Sequence, residues 1–207
     1  MTGLSRQMIS RLERGECDRR LFAAAATVAD ALGARLLVHL SWQGELLDRL
    51  VDAAHAELQN AVVDLLTAAG WVCAVEVSFN HYGDRGRYDI LAFHPPTGIA
   101  LVIEIKVGIG DVQDLLGRLD VKLRLAPLVG ADLGWQVRKA VPMLVVAEDT
   151  TSRRVVRNHE GLFRRFSLRG RSVAPWLRRP TVDGTGLLLF RELSNAVVVG
   201  TARRKSA

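Results

Sequence analysis

Apolar and polar positions follow two different rhythms along this chain. From Glu45 to Ala69 apolar residues recur at intervals of three and four and then stop at Gly70, which predicts a helix with a glycine at its C-terminus. A second helical rhythm runs over Asp111 to Leu125, with Val112, Leu115, Leu116, Leu119 and Leu123 on the apolar side. Gln113, Asp114, Arg118, Asp120 and Lys122 then fall to the surface. Between these helices the rhythm shortens. Residues 71–79, 88–94 and 99–107 read as strands, with Pro95, Pro96, Thr97 and Gly98 as turn chemistry between the last two. Pro142 to Ala147 predicts a further buried strand, and Leu187 to Phe190 and Ala196 to Val199 a late pair. At the start, Ala23 to Leu37 reads as an alanine-rich helix ending near Gly33, and Gly44 marks a junction at residues 38–45. The expected class is α/β (α+β), a mixed sheet flanked by helices with a small helical N-terminal remnant. The expected divisions are 1–40, 45–180 and a C-terminal stretch of strands and basic tail at 181–207.

Composition narrows this picture. A chain of 207 residues with 49% hydrophobic content is long enough for one sizeable core and a small appendage. No apolar run approaches the length that spans a bilayer, and the N-terminus lacks a signal pattern, so no membrane association and a cytoplasmic location are expected. Cys17 and Cys73 stand far apart without metal-ligand spacing. The net charge of +6 is unevenly spread: residues 1–50 carry 7 basic and 6 acidic side chains, 51–150 carry 8 and 13, and 151–207 carry 13 and 3.

The chemistry concentrates in the acidic middle. Asp89 opens an apolar strand, and Glu104 interrupts the β-branched run Ile99 to Ile105. A carboxylate buried in such a run needs a cation beside it, because leaving it unpaired costs several kcal/mol. Glu104 and Lys106 share one strand face by the two-residue period, so Asp89, Glu104 and Lys106 are expected to converge. A plainer reading also stands, in which Asp89 begins a strand and Glu104 with Lys106 forms an ion pair on a half-exposed sheet. Glu76 lies in another alternating strand, and His81, Arg85 and Arg87 surround a polar loop at Gly83 to Gly86 that could approach a phosphate.

An Asp followed fifteen positions later by Glu-x-Lys, here Asp89, Glu104 and Lys106, resembles the pattern of the restriction-endonuclease-like superfamily. The resemblance implies a nuclease-like mixed sheet and a centre in which Asp89 and Glu104 hold Mg²⁺ while Lys106 supports the nucleophile. It also implies an acidic residue on the preceding helix, for which Glu57 is the candidate. The helix after Glu-x-Lys often lends that family a polar side chain, and Gln113 and Lys122 are the candidates, with surface positions the simpler assignment for both. Domains of this superfamily often bind without cleaving, so the resemblance bears on geometry before activity.

A second resemblance opens the chain. Gly3 to Gly15, ending in Ile9-Ser-Arg-Leu-Glu-Arg-Gly15, is similar to the recognition helix of Cro/C1-type (XRE) helix-turn-helix regulators. Ser5 suits an N-cap and Met8, Ile9 and Leu12 form one apolar stripe. Ser5, Arg6, Gln7 and Arg11 are the DNA-binding residues this implies. That family places two helices before this one, so a truncated motif is expected, from a start codon assigned too late or a degraded domain. Dimerisation is frequent in the family and implies a possible homodimer.

From Arg153 to Arg179 the chain carries nine arginines, with Glu160 as the only acid before Pro180. Such a density of guanidinium groups suits a phosphate backbone, with Arg153 and Arg154 leading the segment, and DNA is the expected partner. Phe163, Phe166 and Trp176 imply that the segment packs onto the body. A solvated basic face, or one meeting an acidic protein, remains the alternative. Together the two resemblances point to a DNA-binding regulator carrying a nuclease-like domain, or to a Mg²⁺-dependent DNA endonuclease.

Overall fold

A computed structural model of the chain describes Gln7, Ser10, residues 19–34, Leu36, residues 45–182 and residues 186–193. The chain divides into two compact units, Met1–Gln43 and Gly44–Ala207.

In the first unit, helix α1 spans Arg19–Ala31. Its end is set by Gly33, whose φ of 65° is the left-handed conformation that lets the Ala34 amide reach back to the Ala29 carbonyl at 2.8 Å. Gln7 and Ser10 are helical, Gln7 exposed and Ser10 half-buried. Ser5, Arg6 and Arg11, and with them most of the expected recognition helix, lie outside the described residues.

The second unit is built on a six-stranded mixed sheet flanked by helices. In chain order it runs α2 (Glu45–Ala68), β1 (Val72–His81), β2 (Asp84–His94), β3 (Ile99–Lys106), α3 (Val112–Asp132), β4 (Lys139–Ala147), α4 (Thr150–Asn158), α5 (Glu160–Phe163), β5 (Leu168–Arg169), α6 (Val173–Arg178) and β6 (Leu187–Arg191). The strands lie in the order β1-β2-β3-β4-β6-β5. β1, β2 and β3 form an antiparallel meander, and β3, β4, β6 and β5 run parallel.

Local chemistry explains the joins. Between β1 and β2 the two turn residues Tyr82 and Gly83 both take positive φ, the two-residue hairpin form whose twist matches that of paired strands. The polar run Asp84 to Arg87, expected as a loop, instead continues β2 and pairs with His81 to Ser78. It projects past the core, so it lacks the apolar alternation by which a strand is recognised. Gly98, at φ 71°, closes the β2–β3 turn by donating its amide to the His94 carbonyl.

β3 is buried from Ile99 to Ile105, as a central strand with helices on both faces must be. α2 covers one face through Leu58, Val62 and Leu66, with Leu177 of α6 beside them. α3 covers the other through Leu115, Leu119, Ala126 and Val129, joined by Val156 of α4 and Phe163 of α5. α3 runs seven residues past the expected Leu125, straight through Pro127. A proline there forfeits one backbone bond, and burial of Ala126, Val129 and Gly130 outweighs that loss. β6 is the expected strand at 187–190 and sits inside the sheet between β4 and β5, while residues 196–199 lie outside the described residues. Among the described residues no helix is long and apolar enough to cross a membrane.

Candidate functional site, a buried carboxylate pair closed by lysine

The register Ile90↔Ile103, continued by one step, sets Asp89 opposite Glu104 on neighbouring strands. The backbone ladder stops there because Asp89 turns its side chain to the partner strand, and its Oδ2 accepts the Ile105 amide at 2.7 Å. On the other side of Asp89, Glu76 of β1 takes a φ of 54° and pairs with Arg87 at 2.9 Å, so the edge strand is kinked beside the site. Glu104 is enclosed, its side chain 4% exposed, whereas the Lys106 side chain, two residues along the same face, is 37% exposed. Lys106 Nζ lies 2.7 Å from Glu104 Oε1. The three residues singled out by spacing therefore do come together, at the carboxyl end of β3.

A fourth residue completes the cluster. Lys122 reaches down from α3 and places Nζ 2.5 Å from Glu104 Oε2 and 3.9 Å from Asp89 Oδ1. The surface assignment of Lys122 is thus corrected: it is buried. The signal was present in the helical rhythm, since Leu115, Leu119, Lys122, Ala126 and Val129 follow one another at intervals of three and four, and a lysine occupies a core position of that stripe. Tyr88 fixes the height of this lysine, its hydroxyl donating to the Lys122 carbonyl at 2.7 Å. Gln113, the other candidate on this helix, is exposed in the first turn, where its amide donates to the N-cap Asp111.

The two carboxyl groups titrate in opposite directions. Burial pushes Asp89 up, the facing Glu104 charge adds to this, and the Ile105 amide, Lys122 and the His55 imidazole of α2 only partly offset it. Glu104 is also penalised by burial, but Lys122 and Lys106 outweigh that and hold it below the usual carboxylate range. His55 is therefore an α2 residue that bears on Asp89. Glu57 is two positions further on, about 200° around the helix from His55.

A divalent cation does not fit this arrangement as it stands. The space between Asp89 and Glu104 is taken by an ammonium group, and two carboxylates against two ammonium groups leave no net negative charge to attract Mg²⁺. Above the centre a cleft of about 150 Å³ opens between Lys106 and the start of α3, rimmed by Asp111, Asp114 and Arg118. Asp114 and Arg118 pair along its α3 rim at 2.9 Å. With Glu104 in its floor this cleft carries three carboxylates and two cations, a poor approach for phosphate.

Positive charge collects elsewhere. Arg153 pairs with Glu148, Arg165 with Asp120 at 2.5 Å, and Arg169 with Glu160 at 3.0 Å. Arg154, Arg157, Arg164, Arg171, Arg178 and Arg179 are exposed and hold no acidic partner among the described residues. The aromatic residues of this segment pack as expected, Phe163 and Phe166 fully buried. His81 pairs with Asp132 at 3.2 Å, and Arg85 is exposed on the β1–β2 hairpin. Compared with known proteins, the chain matches no protein-family model and no curated sequence.

Proposed function

We propose that this chain is a DNA-binding regulator whose second unit is a restriction-endonuclease-like domain that grips nucleic acid without cutting it. The observation that carries this reading is a separation of charge. The carboxylate pair is neutralised from within by Lys122 and Lys106, while six arginines between residues 154 and 179 face solvent without acidic partners among the described residues. Arginines free of carboxylates are available to phosphate oxygens, and each such contact releases counterions from the nucleic acid.

Three further features support the reading. The order helix, three-stranded meander, helix, parallel strand, with Asp89, Glu104 and Lys106 close together, supports the superfamily resemblance. The recognition-helix signature at residues 9–15, with Arg6, Gln7 and Arg11, fits a regulator that reads DNA. The low density of acidic groups from residue 151 onward fits a protein that meets DNA in the cytoplasm. The competing reading, a Mg²⁺-dependent endonuclease with Asp89 and Glu104 as ligands, requires Lys122 to leave its place.

One experiment separates the two. Purified chain is tested for duplex binding across a salt series and for nicking of supercoiled plasmid in Mg²⁺ or Mn²⁺, beside Asp89→Ala and Lys106→Ala. Binding that weakens steeply with salt, and nicking no greater than in the variants, is the expected result. Metal-dependent nicking lost in both variants would make the chain the nuclease instead. Duplex affinity that is absent, or indifferent to salt, would remove DNA as the partner.

A further inference from the structure

A pocket of about 500 Å³ lies at the foot of α4, between Arg153, Arg157 and Arg169. Its floor is apolar, made by Val156, Leu188 and Phe190. Glu160 is the acidic residue in its lining and Glu148 holds Arg153 from outside it, so three guanidinium groups stand against two carboxylates. The volume falls within the range of small-molecule sites, and the mixture of an apolar floor with a few convergent charges is their usual make-up.

Two of the guanidinium groups are held in place before any ligand arrives. Arg169 donates to the carbonyls of Phe163 at 2.6 Å and Phe166 at 2.7 Å, and to Glu160. Arg153 is gripped by both oxygens of Glu148 and lies over the Phe190 ring, 4.6 Å from its centroid. Arg157, four residues after Arg153 on the same face of α4, is exposed and without an acidic partner among the described residues. The arrangement is a preorganised cradle with one free cationic arm.

The position of the pocket is also informative. Lys106, Val146 and Phe190 are register partners across β3, β4 and β6, and therefore point to the same side of the sheet. Phe190 thus stands two strands, about 10 Å, from Lys106. Both lie at the carboxyl ends of parallel strands, where open α/β sheets bind their ligands.

We infer that this pocket binds a nucleoside 5′-phosphate unit, with the phosphate on Arg157 and Arg153 and the flat base over the apolar floor beside Phe190. The choice of a nucleotide among flat anions rests on the DNA-binding reading above. A free mononucleotide and the phosphorylated end of a DNA strand offer the same chemistry, and the test tells them apart.

The full chain is titrated with thymidine 5′-monophosphate, thymidine, inorganic phosphate and single-stranded oligothymidylate with and without a 5′-phosphate. Arg157→Ala is compared with Arg124→Ala, an exposed arginine of α3 that lies outside the pocket and pairs with Asp84. The expected result is that thymidine and inorganic phosphate each bind at least about tenfold more weakly than the monophosphate or the phosphorylated strand. Arg157→Ala loses about tenfold in affinity for those two ligands, and Arg124→Ala does not. A phosphorylated strand that outcompetes the monophosphate identifies a strand end as the ligand, and the reverse identifies a free nucleotide. Inorganic phosphate binding as well as the monophosphate, equal effects of the two substitutions, or no binding of either phosphorylated ligand overturns the inference. Duplex binding kept while the pocket fails these tests leaves the DNA-binding reading standing. Monophosphate binding lost in Arg157→Ala, in a chain that ignores duplex, leaves the pocket standing alone.

Discussion

The Tyr88 hydroxyl donates to the main-chain carbonyl of Lys122 at 2.7 Å, so the strand that carries Asp89 also sets where α3 presents its buried lysine. The ring is fully buried and stacks in a tilted contact on Phe79 at 5.1 Å. Tyr88→Phe keeps the ring and removes only the hydroxyl. Stability is expected to fall by about 1 kcal/mol, the net worth of one neutral buried hydrogen bond. Urea denaturation checks this, with a lower midpoint at an unchanged slope as the signature of a lost contact within an intact fold. An unaltered midpoint would mean that the bond does not hold the helix.

Asp89 and Glu104 face each other, yet their neutralisation is expected to have opposite consequences. Glu104 is held below its ordinary range by Lys122 and Lys106, so its charge stabilises the fold above that range and the benefit is lost as pH falls through the depressed value. Asp89 is raised, chiefly by burial, so the fold favours its protonated form at low pH and gives up that stability as pH rises through the raised value. At pH 7, Glu104→Gln should therefore destabilise by about 3 kcal/mol, because it leaves the buried Lys122 short of a partner. Asp89→Asn retains an oxygen for the Ile105 amide and should be neutral or stabilising. Thermal unfolding of both variants at pH 7 decides the matter, and a loss in Asp89→Asn equal to that in Glu104→Gln would refute the assignment.

Much of this centre was legible in the chain because strand periodicity is rigid. An Asp in one strand and a Glu-x-Lys inside the next can meet only if the intervening turn sets the register, and Pro95 to Gly98 does so. Lys122 was harder to place, since a polar residue on an amphipathic helix is ordinarily put on the wet face. Its position in the apolar stripe has meaning only once Glu104 is known to wait beneath it. The Arg157 pocket was not legible at all. It is assembled from α4, β5 and β6, and β5 is two residues long, too short for any periodicity to show. The continuation of α3 through Pro127 likewise follows from tertiary burial, which local propensity does not contain.

The exposed arginines without acidic partners among the described residues make a quantitative expectation for duplex binding. Reversing an exposed arginine in contact with phosphate, for example Arg164→Glu or Arg178→Glu, should weaken binding to all sequences alike. Removing one phosphate contact should lower the slope of log affinity against log salt by about one. Arg165→Glu is a control of a different kind. It breaks a pair with Asp120 and should show in stability before it shows in affinity. Fluorescence anisotropy on labelled duplex from low to moderate salt measures the slopes, and an unchanged slope in all exposed variants would place the nucleic-acid contact off this face.

Lys122→Met supplies the sharpest test of what closes the centre. Methionine is unbranched and fills most of the lysine's apolar volume, but it removes the ammonium group that stands between Asp89 and Glu104. Two buried carboxylates are then left with Lys106 alone. The variant should lose about 3 to 5 kcal/mol, the usual consequence of taking away one partner of a buried pair. It should also turn the buried carboxylate pair, neutralised in the parent chain, into a net negative centre facing the cleft at Lys106. Millimolar Mg²⁺ or Mn²⁺ is therefore expected to raise the unfolding temperature of Lys122→Met and to leave that of the parent unchanged, since only a ligand bound by the folded form shifts that temperature. Adding Glu104→Gln to Lys122→Met should abolish the metal response, which separates binding at this centre from binding elsewhere. A parent chain stabilised by the metal as strongly as the variant would show that Lys122 yields its place readily and would restore the endonuclease reading.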